Sequence, residues 1–303
     1  EVAVLDGLKT AMKTTLEERE SKLAYLFIIP TFAIVLGIII FPVLYNIWLS
    51  FHDVTLGNLG ENPPFNGIKN YEKVVSEEEF LQALLVTIIY SIFGVVLSLI
   101  LGLAAALLLN RTFKGRGLVR GIFLFTYIAP IVALAFIWRW MLNPVYGVVQ
   151  YGMLQIGIIK EPVAWLSVKP LALICVILFE GWRYFPFDML FILARLQAIS
   201  EDLYEAAEVD GANTLQKFWH ITLPELKYVL GTLFLLRFMW TFNKFDDIFL
   251  LTSGAAGTKV LPILVYDYAF PLSKIGLGAA TSMFLFIILI TFMVIYVRKV
   301  LQW

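Results

Sequence analysis

Two sets of polar and aromatic residues share one spacing inside otherwise apolar sequence. Glu180, Arg183, Tyr184 and Phe187 stand at i, i+3, i+4 and i+7, and Arg237, Trp240, Thr241 and Lys244 repeat those offsets. On an α-helix this spacing puts each set on one face. Ionisable side chains within a long apolar segment are costly and turn toward a cavity or a partner. Two neighbouring helices would therefore each present a charged and aromatic stripe to the other. Such a mixture suits a sugar, because aromatic planes cover the apolar face of a pyranose while charged and hydroxyl groups bond its hydroxyls. The competing explanation is that Glu180 pairs with Arg183 or Arg237 only to neutralise buried charge.

Groups for bond-making chemistry are not apparent. His52 and His220 lie far apart without a base or ligand partner at suitable spacing, and there is no Walker lysine loop, HExxH or GxSxG. The single cysteine, Cys175, excludes an intrachain disulfide and a cysteine-based metal cluster, and reads as a small buried hydrophobe. No catalytic residue, metal site or cofactor is expected in this chain. Arg139 reads as a snorkelling or packing residue, whereas Asp188, Asp246 and Asp247 fit either a structural or a functional role.

The elements that position the two stripes follow from composition. Of 303 residues, 60% are hydrophobic and only 15% charged, and the mean hydropathy is +0.83. These values lie outside the usual range of a soluble domain and define an integral membrane protein. Net charge is zero, so nothing argues for nucleic acid. A span needs about 20 mostly apolar residues, and six segments qualify: 23–49, 81–109, 118–141, 170–193, 225–251 and 275–297. The expected fold is an all-α polytopic bundle, residues 23–303, behind a short polar segment, 1–22, that lacks the features of a signal peptide. Gly94, Gly102 and Ala104 to Ala106, with Ser91 and Ser98, are small enough for close helix contact in the second span. Lys and Arg are about twice as frequent near one set of span ends as near the other, which predicts both termini and the 200–224 loop to be cytoplasmic. A Gly-bearing run, Ser253 to Gly257, reads as a flexible outer loop.

The 200–224 loop is the one long polar interval between two long apolar segments. Ser200 can cap a helix whose first turn holds Glu201 and Asp202. Asp210-Gly211 marks a stop, a second short helix is predicted from Asn213 to His220 with Leu215, Phe218 and Trp219 sharing a side, and Pro224 can open the next helix. Glu205-Ala206-Ala207, Asp210-Gly211-Ala212, then Phe218, Ile221, Leu223 and Pro224 together resemble the EAA loop of ATP-binding-cassette (ABC) importer permeases, in the form of the maltose/trehalose-type larger subunits.

The resemblance covers nearly the whole chain, and what it implies goes beyond the residues themselves. It implies a multi-pass permease of the cell membrane that imports a sugar, such as maltose or trehalose. Its partners would be a second related permease, two cytoplasmic ATPase subunits that bind ATP and magnesium, and an extracellular solute-binding protein. Glu205, Ala206, Ala207, Asp210 and Gly211 would couple to the ATPase. Trp182 through Phe187 and Arg237 through Lys244 would line the sugar path. Ala255 and Ala256 depart from the glycines usual in the family's outer loop. Two alternatives stand beside this expectation: an importer of another solute such as glycerol phosphate, with Arg183, Arg237 and Lys244 as anion ligands, and an ion-coupled secondary transporter using Glu180 or Asp188 as a proton site.

Overall fold

The computed structural model describes Ser21 and residues 23–301; apart from Ser21, the expected 1–22 segment lies outside the described residues. In chain order the helices begin with α1 (Leu23–Ser50), α2 (Lys69–Ser76), α3 (Glu78–Asn110), α4 (Arg116–Ile128) and α5 (Ile131–Met141). They continue with α6 (Val148–Gln155), α7 (Leu171–Leu196), α8 (Glu201–Val209), α9 (Thr214–Lys217) and α10 (Leu223–Phe242). α11 (Asp246–Thr252), α12 (Leu261–Ala269) and α13 (Ile275–Tyr296) complete the chain. Among the described residues the only strand-like feature is an isolated bridge between His52 and Phe65. All-helical architecture is what an open chain needs in hydrocarbon, since each helix satisfies its own backbone groups.

α1, α3 and α13 are each long and apolar enough to cross a membrane. α7 and α10 have the length, at 26 and 20 residues, but carry the buried charges. The expected third span, 118–141, is instead two helices, α4 and α5, bent by 96°. Pro130 causes the break: it pushes Ala129 into extended backbone, φ −60° and ψ 145°. The expected fifth span, 225–251, is likewise interrupted, because α10 ends at Phe242 and α11 starts only at Asp246.

The centre of the bundle is the seam between α3 and α7, and glycine makes it possible. A Cβ at Gly94 would lie 2.8 Å from Glu180 Cγ, and one at Gly102 would lie 2.8 Å from Asp188 Cβ and 3.0 Å from the Met189 nitrogen. Tyr90, Gly94, Ser98 and Gly102 recur every fourth residue on α3, which puts them on one helix face against Glu180, Tyr184 and Asp188, equally spaced on α7. Seen from the other helix, a Cβ at Gly181 would meet Leu97 at 2.5 Å. α10 lies across this pair, and the apolar cluster of Ala106, Leu109, Met189, Ile192, Leu226 and Leu233 joins all three.

The outer segments hold more structure than their turn residues suggest. α12 packs on α13 through Leu261, Leu264, Tyr268 and Leu277. The Gly-bearing run is closed by hydrogen bonds, Thr258 Oγ1 to the Ala255 carbonyl at 2.7 Å and Thr252 Oγ1 with Thr258 Oγ1 at 2.6 Å. α1 behaves differently, since its apolar side chains are almost wholly exposed within this chain and only its last turns dock on α13. Asn46 there donates to Ser282 at 2.9 Å.

Candidate solute path and coupling surface

The two predicted stripes meet, and they separate into a buried layer and an exposed edge. In the buried layer the Glu180 carboxylate collects three donors. Arg237 Nη2 donates to Oε1 at 2.6 Å, Thr241 Oγ1 to Oε1 at 2.8 Å, and Tyr90 OH to Oε2 at 2.9 Å. Arg237 Nε also lies 4.0 Å from Asp188 Oδ2, and Ser98 Oγ donates to that same oxygen at 2.6 Å. Glu180 and Asp188 are fully buried and Arg237 nearly so. A carboxylate removed from water needs such donors, because unpaired burial costs several kcal/mol. One charge network thus ties α3, α7 and α10 together.

Tyr184 is the turning point between the layers. Its ring carries the Arg237 guanidinium at 4.3 Å, the Lys244 ammonium at 4.4 Å and the Arg183 guanidinium at 5.3 Å, close enough for the ring's quadrupole to attract cations. Lys244 Nζ donates to the Tyr184 hydroxyl and stands 3.9 Å from Asp247 Oδ2. Arg183 turns to the Ala129 carbonyl at 3.2 Å, at the break between α4 and α5. It does not pair with Glu180.

Beyond Tyr184 the aromatic rings reach the surface. Phe187 contacts Trp240 at 5.3 Å, Phe191 at 4.9 Å and Tyr127 at 5.9 Å between ring centroids. Trp240 and Phe191 are each about half exposed, at 48% and 51%. Trp182 faces elsewhere and packs on Trp138 and Phe179 at 5.5 and 6.3 Å. Of the sequence-predicted residues, then, Glu180, Arg237 and Thr241 are inside; Tyr184, Phe187, Trp240 and Lys244 form or flank the edge; Arg183 and Trp182 face α4 and α5. Tyr90, Ser98 and Tyr127 join the site without having been assigned to it, as does Asp188, whose spacing left a structural or a functional role open. For Tyr90 and Ser98 a signal existed, the fourfold spacing with Gly94 and Gly102. Asp247 is buried with neither carboxylate oxygen hydrogen-bonded among the described residues.

The 200–224 loop folds as its caps dictate. Ser200 Oγ accepts from the Asp202 amide at 3.3 Å to start α8, Gly211 turns the chain at φ +80°, and Asn213 with Gln216 forms a reciprocal capping box for α9. The second predicted helix, Asn213 to His220, is shorter: after Lys217 a π-helical turn, Phe218–Thr222, runs directly into α10, with Pro224 in its first turn. Lys217 Nζ donates to Glu208 at 2.5 Å across the turn. The hydrogen bond, and secondarily the lysine charge, hold the Glu208 carboxyl below the usual carboxylate range.

This two-helix unit is fastened to the charged helices. Arg195, at the end of α7, bonds Glu225, in the first turn of α10, at 2.5 Å, and the Tyr204 hydroxyl meets Thr222 Oγ1 at 3.0 Å. Glu205, Ala206, Asp210 and Gly211 are exposed and Ala207 half-buried. Exposed apolar side chains surround them, Val209 at 88%, Leu215 at 66% and Trp219 at 57%. Leu215 and Trp219 therefore do not turn inward to a core of this chain.

An all-helical bundle with several helices long enough to cross a membrane and an exposed two-helix unit between two of its helices has the architecture of a multi-span membrane permease. The comparisons agree with that class: residues 94–302 match the binding-protein-dependent transport system inner membrane component family, and the chain belongs to it. It is 39% identical over 290 residues to the trehalose/maltose transport system permease protein MalF of Thermococcus litoralis, covering 95% of this chain and 96% of that one. It is 35% identical over 278 residues to the inner membrane ABC transporter permease protein YcjO of Escherichia coli, covering 91% and 94%. It is 31% identical over 267 residues to the trehalose transport system permease protein SugA of Mycobacterium tuberculosis, covering 88% and 85%. A crystal structure of a bacterial ABC transporter involved in alginate import has the same fold, with a TM-score of 0.82 at 22% identity over 94% of this chain and 97% of that one. The chain is an ABC importer permease, and membership of this family sets aside the ion-coupled alternative.

Proposed function

We propose that this permease imports a sugar, a di- or oligosaccharide of the trehalose or maltose kind. An extracellular solute-binding protein delivers it, a second related permease completes the path, and two cytoplasmic ATPase subunits binding ATP and magnesium drive the cycle. Both termini and the α8–α9 unit face the cytoplasm, as the Lys and Arg distribution argues. The observation that carries the sugar assignment is the half-exposed aromatic edge of Phe187, Trp240 and Tyr127 beside the Tyr184 hydroxyl and Lys244. Exposed rings next to fixed polar groups fit the alternating apolar and hydroxylated faces of a pyranose. The names of the relatives, for trehalose and maltose, support the same class. An anionic substrate is less well served, because Arg237 is paired with Glu180, Lys244 has the Asp247 carboxylate at 3.9 Å, and Arg183 turns to the Ala129 carbonyl.

In this mechanism Glu180, Arg237 and Thr241 do not touch substrate. They hold α7 and α10 at fixed spacing, so that the edge residues Tyr184, Phe187, Trp240 and Lys244 keep their geometry, with Arg183 and Trp182 setting the neighbouring wall. ATP-driven closure of the ATPase pair displaces α8 through Glu205, Ala206, Ala207 and Asp210. The Arg195–Glu225 bond and the turn at Gly211 transmit the movement to α7 and α10, which expose the edge alternately to the two sides.

Reconstituted complex supplied with sugar-loaded binding protein tests the assignment. Trp240→Ala should lower sugar uptake about tenfold or more, the scale of removing a stacked ring from a binding site, while basal ATP hydrolysis persists. Glu205→Ala should abolish uptake with insertion unchanged. Wild-type uptake by both variants would sink the proposal.

A further inference from the structure

At the end of the bundle that carries α8 and α9, a cavity of about 560 Å³ opens between the last turn of α3, the end of α7 and α9. Leu107, Leu196 and Phe218 give it apolar walls, and Asn110, Arg111 and Lys217 polar ones. Leu196 is buried while Asn110 and Arg111 are exposed, so apolar surface lies deep and polar groups stand at the mouth. Lys217 is already committed to Glu208 at 2.5 Å. Arg111 has no carboxylate within ion-pair reach among the described residues.

Arg111 opens a run of cations. Lys114, Arg116 and Arg120 follow it, and none of the four forms an ion pair among the described residues. The sequence holds no Asp or Glu between Glu79 and Glu161. One cation after a helix would be accounted for by the helix dipole; four in such a stretch set up a local positive field. The depth of the run follows from α4, where Leu118, Ile122 and Phe125 are exposed at 72%, 59% and 65% along one helix edge. An edge of that kind lies in hydrocarbon, which puts Arg111, Lys114 and Arg116, just before it, at the level of lipid headgroups.

We infer that this cavity seats the phosphate headgroup of an anionic phospholipid of the cytoplasmic leaflet, with Arg111 as its principal ligand. The inference rests on the importer reading above for which face is cytoplasmic. A guanidinium holds two phosphate oxygens at once, and the Asn110 amide supplies further donors beside it. Lys114 and Arg116 do not line the cavity, but their charge concentrates anionic lipid near its mouth. The walls of Leu107, Leu196 and Phe218 accept the start of the acyl chains, apolar contact that a free phosphate cannot make. Because α3, α7 and α9 all contribute walls, an occupied cavity joins the membrane surface to the two-helix unit.

The test places the full complex in nanodiscs of phosphatidylcholine with phosphatidylglycerol as the minor component. Native mass spectrometry then counts the lipid retained on release into detergent. Arg111→Ala should lower phosphatidylglycerol retention about fivefold, equivalent to roughly 1 kcal/mol for one cation at the membrane surface. Arg111→Glu should lower it further, and Arg111→Lys should recover part. Thr214→Trp, which fills the cavity from the α9 side without changing charge, should lower it comparably, and Lys114→Ala less. Inorganic phosphate added during release should leave the lipid in place; displacement overturns the inference in favour of a free-anion site. Unchanged retention in both Arg111→Ala and Thr214→Trp overturns it, as does an equal loss in Lys114→Ala, the mark of diffuse surface attraction. Each of these results leaves the importer reading standing, which fails instead if the unsubstituted complex takes up no sugar in either lipid composition, with or without phosphatidylglycerol.

Discussion

Arg237 and Glu180 meet at 2.6 Å with side chains 2% and 0% exposed, joining two helices 57 residues apart in the chain. The pair replaces water for both charges at once, with Thr241 and Tyr90 completing the carboxylate. Removing one member strands the other in a low-dielectric interior, which costs about 3–5 kcal/mol. Glu180→Leu or Arg237→Met should therefore lower the melting temperature of the purified permease more than the double substitution does. A double-mutant cycle on thermal stability reads this directly, and strictly additive losses would refute it.

The α3–α7 seam tolerates no side chain where glycine sits. Gly102→Ala pushes a methyl group within 2.8 Å of Asp188 Cβ and 3.1 Å of the Phe185 carbonyl. Overpacking of this kind costs about 1–3 kcal/mol, and folded yield in mild detergent should fall accordingly. Gly117→Ala and Gly121→Ala, where nothing lies within 4 Å, should leave it unchanged.

At Gly211 the constraint is conformational, not steric. A Cβ there meets nothing within 4 Å, but φ is +80°, so Ala at this position carries left-handed strain of about 1–2 kcal/mol. Gly211→Ala should reduce sugar moved per ATP hydrolysed, whereas Gly211→Asn, a residue more tolerant of that region, should retain most of it. Equal coupling ratios for the two variants would count against a backbone role.

The Glu208–Lys217 pair predicts a pH dependence confined to the α8–α9 unit. Because the Glu208 carboxyl titrates lower folded than unfolded, the bond stabilises the unit fully above the ordinary glutamate value and is lost as pH falls through the depressed one. Limited proteolysis of the loop should accelerate over that acidic interval. Lys217→Met should remove the dependence; an unaltered pH profile in that variant argues against the pair.

Much of the protein was legible in the linear chain because helices in lipid are locally encoded. Long apolar segments, Ser200, Gly211 and Pro224 encode the spans and the two-helix loop, and the Glu205 to Ala207 and Asp210 to Ala212 signatures carry the family resemblance. The equal offsets put Glu180 to Phe187 on one face of α7 and Arg237, Trp240 and Thr241 on one face of α10, but Lys244 falls past the end of α10 at Phe242. Local rules reach no further than one element. Whether Glu180 faced a solute, Arg183 or Arg237 depended on which helices became neighbours, and that was decided by Gly94 and Gly102 letting α3 approach α7 closely enough for Tyr90 and Ser98 to supply donors. The 96° break is a local effect of Pro130, whereas nothing in the 225–251 pattern marks the interruption after Phe242. Periodicity assigns a side chain to a face, but burial and pairing belong to the packing of faces from distant segments, which only the tertiary structure brings together.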